Sequence, residues 1–126
     1  PKYGGRTINN QTSNIILDEL SRIMTQQELF CDPQLSLNKM ATLLNVSTHE
    51  LSQVINEKLQ KNFSQLINEY RVEKAKLMIK ENDLFTLESV GYDCGFKAKS
   101  TFYTVFKKYT GTTPAQFKKA IKSSAL

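Results

Sequence analysis

Apolar residues recur at helical intervals along most of the chain. In the N-terminal part they follow the i, i+4, i+7, i+8 spacing of one face of an amphipathic helix: Ile16, Leu20, Ile23 and Met24. Asp32-Pro33 ends this pattern. Strand-like alternation is nearly absent, and glycine and proline are sparse. The pattern therefore predicts an all-α fold.

Two similar helix pairs follow, separated by one long helix. Each pair combines a short helix, a tight turn and a longer helix, with the second helices predicted at about 48–59 and 98–110. The intervening helix, of some 18 residues, reaches Glu81 and spans about 27 Å at ~1.5 Å rise per residue. The repeat is typical of two helix-turn-helix units, whose second helices usually enter the DNA major groove. Such a spacer would suit two readers roughly one DNA turn apart, ~34 Å.

Local signals fix several predicted helix ends. Ser47 with Glu50, and Thr113 with Gln116, have the spacing of capping boxes, so helices should begin at Thr48 and, with proline at its first position, at residue 114. Gly111 should end the preceding helix in a left-handed conformation.

Six segments are predicted: a flexible lead-in (1–12), an N-terminal amphipathic helix (13–33), a first helix-turn-helix subdomain (34–62), a linker helix (63–82), a second subdomain (83–122) and a tail (123–126). We expect the N-terminal helix to dock on the first subdomain. Pairing with a second copy, or transmission of a signal from upstream, are the alternatives.

Positive charge is concentrated in the last third of the chain. The formal net charge is +5, and residues 97–126 contain seven lysines and no Asp or Glu. A one-signed segment of this kind favours a polyanionic partner, since each neutralised phosphate releases counterions. A solvated lysine face is the simpler explanation of the same pattern.

The residue types that carry catalysis or bind metals are scarce. With one histidine, His49, and two distant cysteines, Cys31 and Cys94, the sequence shows no nucleophile with its base and no metal-ligand spacing. We predict no enzymatic activity, no metal and no cofactor. No apolar stretch approaches the ~20 residues of a membrane span, so we expect a cytoplasmic domain without membrane contact. Because the chain begins at Pro1, we expect it to be the C-terminal part of a longer protein, with a sensor, dimerisation or membrane portion upstream.

Helical periodicity indicates which side chains face DNA. With Leu51, Val54, Phe102 and Phe106 inward, the outward candidates for base contact are His49, Ser52, Gln53, Asn56, Lys99, Ser100, Tyr103 and Thr104. The amides of Gln53 and Asn56 suit an adenine edge, and Lys99 suits guanine. Candidates for phosphate contact are Lys58, Lys61, Lys107, Lys108, Thr113 and Lys118. Arg71 and Glu73 are expected to pair internally.

A spaced set of residues in the second subdomain resembles the C-terminal signature of the AraC/XylS family of bacterial transcription regulators: Gly95-Phe96, Phe102, Phe106-Lys107, Gly111, Thr113-Pro114 and Phe117-Lys118. The resemblance covers about residues 35–120. It implies a double helix-turn-helix that places two recognition helices in successive major grooves of promoter DNA. It also implies a regulator that has a separate signal-receiving portion and acts with RNA polymerase.

The chain departs from the family pattern at four positions. Gln60 stands where glycine is common, Gln53 where arginine is frequent, Lys118 for a usual arginine and Gly91 for a usual alanine. The first recognition helix is thus nearly without positive charge, and we expect the second subdomain to supply most of the electrostatic affinity. The alternative function is a helical protein-interaction module that binds a partner through its basic face; only a DNA reader should lose affinity at a mismatched base pair.

Overall fold

The computed structural model describes residues 9–124, and within that range the chain forms helices and no strand. The elements are α1 (Asn10–Gln26), a 3₁₀ turn (Leu29–Cys31), α2 (Leu37–Leu44), α3 (Thr48–Val54) continued by a π-helix (Ile55–Leu59), α4 (Phe63–Glu81), α5 (Leu87–Asp93), α6 (Lys99–Thr110) and α7 (Pro114–Ser124). The predicted all-α class and the two helix-turn-helix pairs, α2–α3 and α5–α6, are confirmed.

Side chains cap the helix starts as the sequence predicts. The Ser47 hydroxyl accepts from the Glu50 backbone N–H at 3.0 Å. At α7 the capping box is complete, because Gln116 N–H donates to Thr113 Oγ1 at 3.1 Å and Thr113 N–H donates to Gln116 Oε1 at 2.9 Å. Asn62 and Gln65 make the same reciprocal pair before α4. These bonds satisfy N–H groups that a helix start leaves unpaired.

Left-handed residues end three helical segments. Asn45 ends α2 at φ 58°, Gln60 ends the π-helix at φ 56°, and Gly111 ends α6 at φ 85°. Glycine adopts this conformation without strain and asparagine tolerates it, but glutamine has no such advantage. The predicted role of Gly111 is confirmed, and Gln60 holds a strained position.

Several boundaries differ from the prediction. The helix α1 begins at Asn10, inside the predicted lead-in, and ends at Gln26, before the predicted bound at residue 33. The first recognition helix changes to π geometry at Ile55. At the C-terminus α7 extends through Ser124 into the predicted tail. Residues 1–8 of the lead-in and 125–126 of the tail lie outside the described residues.

The chain divides into two compact units, which we call unit 1 and unit 2. Unit 1 contains the described residues up to Leu29 and Gln34–Leu66. Its α1 contacts α2 and α3, and it buries the apolar stripe that the spacing predicts, with Leu20 and Met24 at most 2% exposed. The expected docking of α1 on the first helix-turn-helix is therefore confirmed.

Unit 2 contains Ile67 onward and also Phe30–Pro33, the connector between α1 and α2. Phenylalanines form a continuous series through its core, with ring centroids 5.2 Å apart for Phe96–Phe102, 5.7 Å for Phe102–Phe106 and 5.3 Å for Phe106–Phe117. Cys94 is fully buried in this core. A Cβ at Gly91 would lie 2.6 Å from Phe102 Cδ2, so α5 and α6 pack closely.

Candidate nucleic-acid interface

The outward face of α6 is polar and carries no carboxylate. Phe102 and Phe106 are fully buried, which turns the opposite side of the helix to solvent. The exposed side chains on this side are Lys99, Ser100, Thr101, Thr104, Lys107 and Lys108. Five of them were predicted as DNA contacts, and the structure brings them together on one helix surface.

Tyr103, a predicted base contact, is partly covered, and Thr101, which was not among the predicted contacts, is exposed. Tyr103 is half-buried and packs edge-on against Phe102, with ring centroids 5.8 Å apart. Lys99 Nζ lies 5.4 Å from the centroid of the Tyr103 ring. Thr101 is exposed, and its spacing from Thr104 and Lys108 is i, i+3, i+7, the signal that should have included it. Tyr103 is thus partly covered and lies beside Lys99, whereas Thr101 belongs to the exposed face of α6.

On α3 fewer of the predicted contact residues are accessible than we expected. His49 is exposed, and Ser52 and Asn56 are half-buried. Gln53, by contrast, is only 2% exposed, and its amide donates to Glu57 Oε1 at 3.2 Å. The prediction that the Gln53 side chain points outward is therefore wrong, since the structure buries it within unit 1.

The two recognition helices differ in charge. The α3 helix and its π continuation contain Glu50 and Glu57 against one lysine, Lys58. The ammonium of Lys58 donates to Asn10 Oδ1 at 2.5 Å, at the start of α1. Over its length α6 contains three lysines and no acidic residue. An anionic partner is therefore favoured at α6 far more than at α3.

The phosphate-contact candidates are in different environments. Lys107 and Lys108 are exposed in the last turn of α6, and Lys108 Nζ lies 5.9 Å from the Tyr109 ring centroid. Lys61 is half-buried. Thr113 is half-buried and its hydroxyl serves the cap of α7. The last turn of α6 thus exposes two of these cations side by side.

Lys118 points toward the loop before α5. Its ammonium lies 3.4 Å from Phe85 O, 3.5 Å from Asp83 O and 3.7 Å from Asp83 Oδ1. The candidate role of Lys118 in phosphate contact is corrected, since these partners direct its charge to the protein. The expected internal pairing on α4 is found: Glu73 pairs with Lys76 at 3.2 Å, and Arg71 donates to backbone carbonyls of the connector.

Within residues 9–124 the side chains form no group of three or more histidine, cysteine or acidic residues that could hold a metal. None of the described helices is both long enough and apolar enough to cross a bilayer.

Comparison with known proteins identifies the family. A family model described as "Helix-turn-helix domain" matches residues 40–120. The chain is 28% identical over 116 residues to an HTH-type transcriptional regulator of Staphylococcus aureus (strain MSSA476); this match covers 92% of the chain but about 15% of the relative's length.

Solved structures agree with this match. The C-terminal domain of AraT, a response regulator from Geobacillus stearothermophilus, superposes with a TM-score of 0.76 at 28% identity, covering 83% of this chain and 84% of that one. A Chromobacterium violaceum transcriptional regulator with an AraC-type DNA-binding domain shares the fold, with a TM-score of 0.75 at 20% identity over 89% and 96% of the two chains.

These matches confirm the family that the sequence resembles, and with it sequence-specific DNA binding as the role of the domain. Domains of this family are not normally enzymes. The chain belongs to the helix-turn-helix domain family, in its AraC-type form.

Proposed function

We propose that this chain reads double-stranded DNA chiefly through α6, while α3 reads a second motif with less electrostatic affinity. The exposed face of α6 supports this most directly, since it combines lysines and hydroxyl groups without a carboxylate. Side chains of these types hydrogen-bond base edges and neutralise phosphates.

The reading residues on α6 are Lys99, Ser100, Thr101 and Thr104, all exposed in its first half. Lysine suits the O6 and N7 acceptors of guanine, and threonine can combine a hydroxyl hydrogen bond with a methyl contact to thymine. On α3 the corresponding set is His49, Ser52 and Asn56. Lys107 and Lys108 hold the phosphate backbone and set the register without reading sequence.

The proteins that this chain resembles are longer than the chain itself. The chain spans about 15% of the length of its staphylococcal relative, and AraT is a response regulator of which this fold is the C-terminal domain. We therefore infer that a signal-receiving or dimerisation portion is joined to this domain, and that the regulator acts in the cytoplasm on promoter DNA together with RNA polymerase.

Selection of preferred sites from random double-stranded DNA, followed by footprinting at physiological salt, tests the proposal. We expect enrichment of two short motifs about one helical turn apart, ~34 Å. An absence of enrichment over bulk DNA would reject DNA reading by the chain and favour a partner-binding module.

Single substitutions then assign the motifs. Thr104→Ala and Ser100→Ala should each relax preference at one base position of one motif, with a loss of ~1–3 kcal/mol in discrimination. Thr25→Ala, an exposed threonine on α1, is the matched control and should leave the binding profile unchanged. If both α6 variants keep the wild-type profile, α6 is not the reader.

A further inference from the structure

The connector between α1 and α2, Phe30–Pro33, is held by one side chain of α4. Arg71 Nε donates to Phe30 O at 2.7 Å, and Arg71 Nη2 donates to Asp32 O at 3.0 Å. Burial lowers the pKa of the Arg71 guanidinium, and the nearby Cys31, Asp32 and Cys94 oppose that shift. A half-buried cation that bonds two backbone carbonyls fixes the path of the connector.

The same guanidinium lies against the turn that precedes α6. Its central carbon is 5.8 Å from the centroid of the Phe96 ring. Gly95 is at φ 106°, and a Cβ at this position would lie 2.4 Å from Phe30 O and 2.8 Å from Arg71 Nε. The connector and Arg71 therefore pack directly on the backbone of this turn, where only glycine fits.

The turn leads at once into the first part of α6. Phe96 packs on Phe102, with ring centroids 5.2 Å apart, and both rings are buried. A displacement of the turn must therefore move the buried face of α6, since a close-packed core transmits small shifts. The exposed Ser100 and Thr104 lie on the same helix and would move with it.

Two further contacts hold the connector in place. The rings of Phe30 and Tyr70 are stacked at 5.5 Å, and Lys74 Nζ lies 3.5 Å from Cys31 Sγ. Only the planar fork of arginine donates two directed hydrogen bonds while stacking on an aromatic face, which a lysine ammonium does not do.

We propose that Arg71 is a positioning residue for DNA reading, which clamps the connector Phe30–Pro33 onto the Gly95–Phe96 turn and so sets the orientation of α6. This inference rests on the proposed function, because it assigns to Arg71 an effect on the motif that α6 reads.

The test compares Arg71→Met with Arg22→Met, a control that removes an exposed arginine paired with Glu19 on α1. Affinity is measured for the selected two-motif site and for the same site with the α6 motif scrambled. We expect Arg71→Met to lose on the order of ten-fold on the intact site and little on the scrambled one, a loss within the range of one mismatched base pair. The slope of log K against log salt should stay the same, because no phosphate contact is removed.

The reaction of Cys31 with a thiol reagent reports the connector itself. Cys31 is half-buried and Cys94 fully buried, so the rate at which the folded protein is labelled measures the accessibility of Cys31. Arg71→Met should accelerate this labelling and Arg22→Met should not. The conservative Arg71→Lys keeps the charge without the fork, and we expect it to restore less than half of the lost discrimination.

A folded Arg71→Met protein with unchanged preference for the α6 motif would overturn the proposal, as would an equal loss on the intact and the scrambled site. If Arg71→Met fails to fold, Arg71→Lys decides by the same comparison. If neither folds, Arg71 is a residue of general stability and the proposal is wrong. Failure of the proposed function is separate, since the wild-type protein would then select no site.

Discussion

The amide of Gln53 donates a hydrogen bond to Glu57, four residues along the recognition helix, in a position with almost no access to solvent. A buried amide is costly unless it is bonded, so this pair stabilises unit 1 while it removes Gln53 from the DNA-facing surface. Asn56 is half-buried on the same helix and is the amide that remains at the surface.

We therefore expect Gln53→Ala to destabilise the protein by ~1–3 kcal/mol, because it leaves a cavity and a partner without its hydrogen bond. The base preference of the folded variant should be that of the wild type. Denaturant unfolding and site selection measure the two effects. Asn56→Ala should instead change the base preference and leave the free energy of unfolding nearly unchanged. A changed base preference in Gln53→Ala would show that Gln53 does contact DNA.

Gln60 shows how a single backbone angle affects stability. At φ 56° its side chain is strained against its own backbone, and the π-helix ends there. We expect Gln60→Gly to stabilise the protein by about 1 kcal/mol, since glycine adopts this conformation readily. Lys61→Gly, a neighbour without positive φ, is the control and should destabilise. A loss of stability in Gln60→Gly would show that the Gln60 side chain makes compensating contacts.

At the scale of elements, α1 is an integral part of unit 1. Its buried stripe packs with α2 and α3, whereas Ile15 on the same helix is 62% exposed. We expect Leu20→Ala to reduce the free energy of unfolding by ~2–5 kcal/mol and Ile15→Ala to change it by less than about 0.5 kcal/mol. Chemical denaturation of both variants measures this, and equal stabilities would contradict the docking of α1.

Helix boundaries were predictable where the stabilising interaction is local. The caps at Ser47 and Thr113 and the left-handed end at Gly111 depend on residues at most four positions apart, so the sequence pattern was enough to predict them. The π geometry after Val54 has no comparable local signature, and it was missed. Periodicity likewise indicated most of the exposed face of α6 but included Tyr103 and left out Thr101, because the packing of Phe102 decides which of them is covered.

The division into units was the part that sequence patterns described least well. The connector lies 41 positions from Arg71, and pairing over that distance depends on the folded core rather than on local spacing. The prediction also treated α1 and the first helix-turn-helix as separate segments, although unit 1 contains both. The amphipathic stripe shows that α1 is buried but not what covers it.

At the scale of the whole molecule, the distribution of lysines determines how binding depends on salt. The seven lysines of residues 97–126 are accompanied by no acidic residue in that segment, and Lys107 and Lys108 are exposed at the end of α6. Each phosphate that a cation neutralises adds about 0.9 to the slope of log K against log salt.

Joint replacement of Lys107 and Lys108 by alanine should thus reduce the slope by about 2 and weaken binding equally on selected and random DNA. Lys76→Ala removes a lysine that is paired with Glu73, and as the control it should leave the slope unchanged. If the double variant altered base preference while the slope stayed constant, the two lysines would be readers of sequence, and the electrostatic affinity would have to come from other cations of the chain.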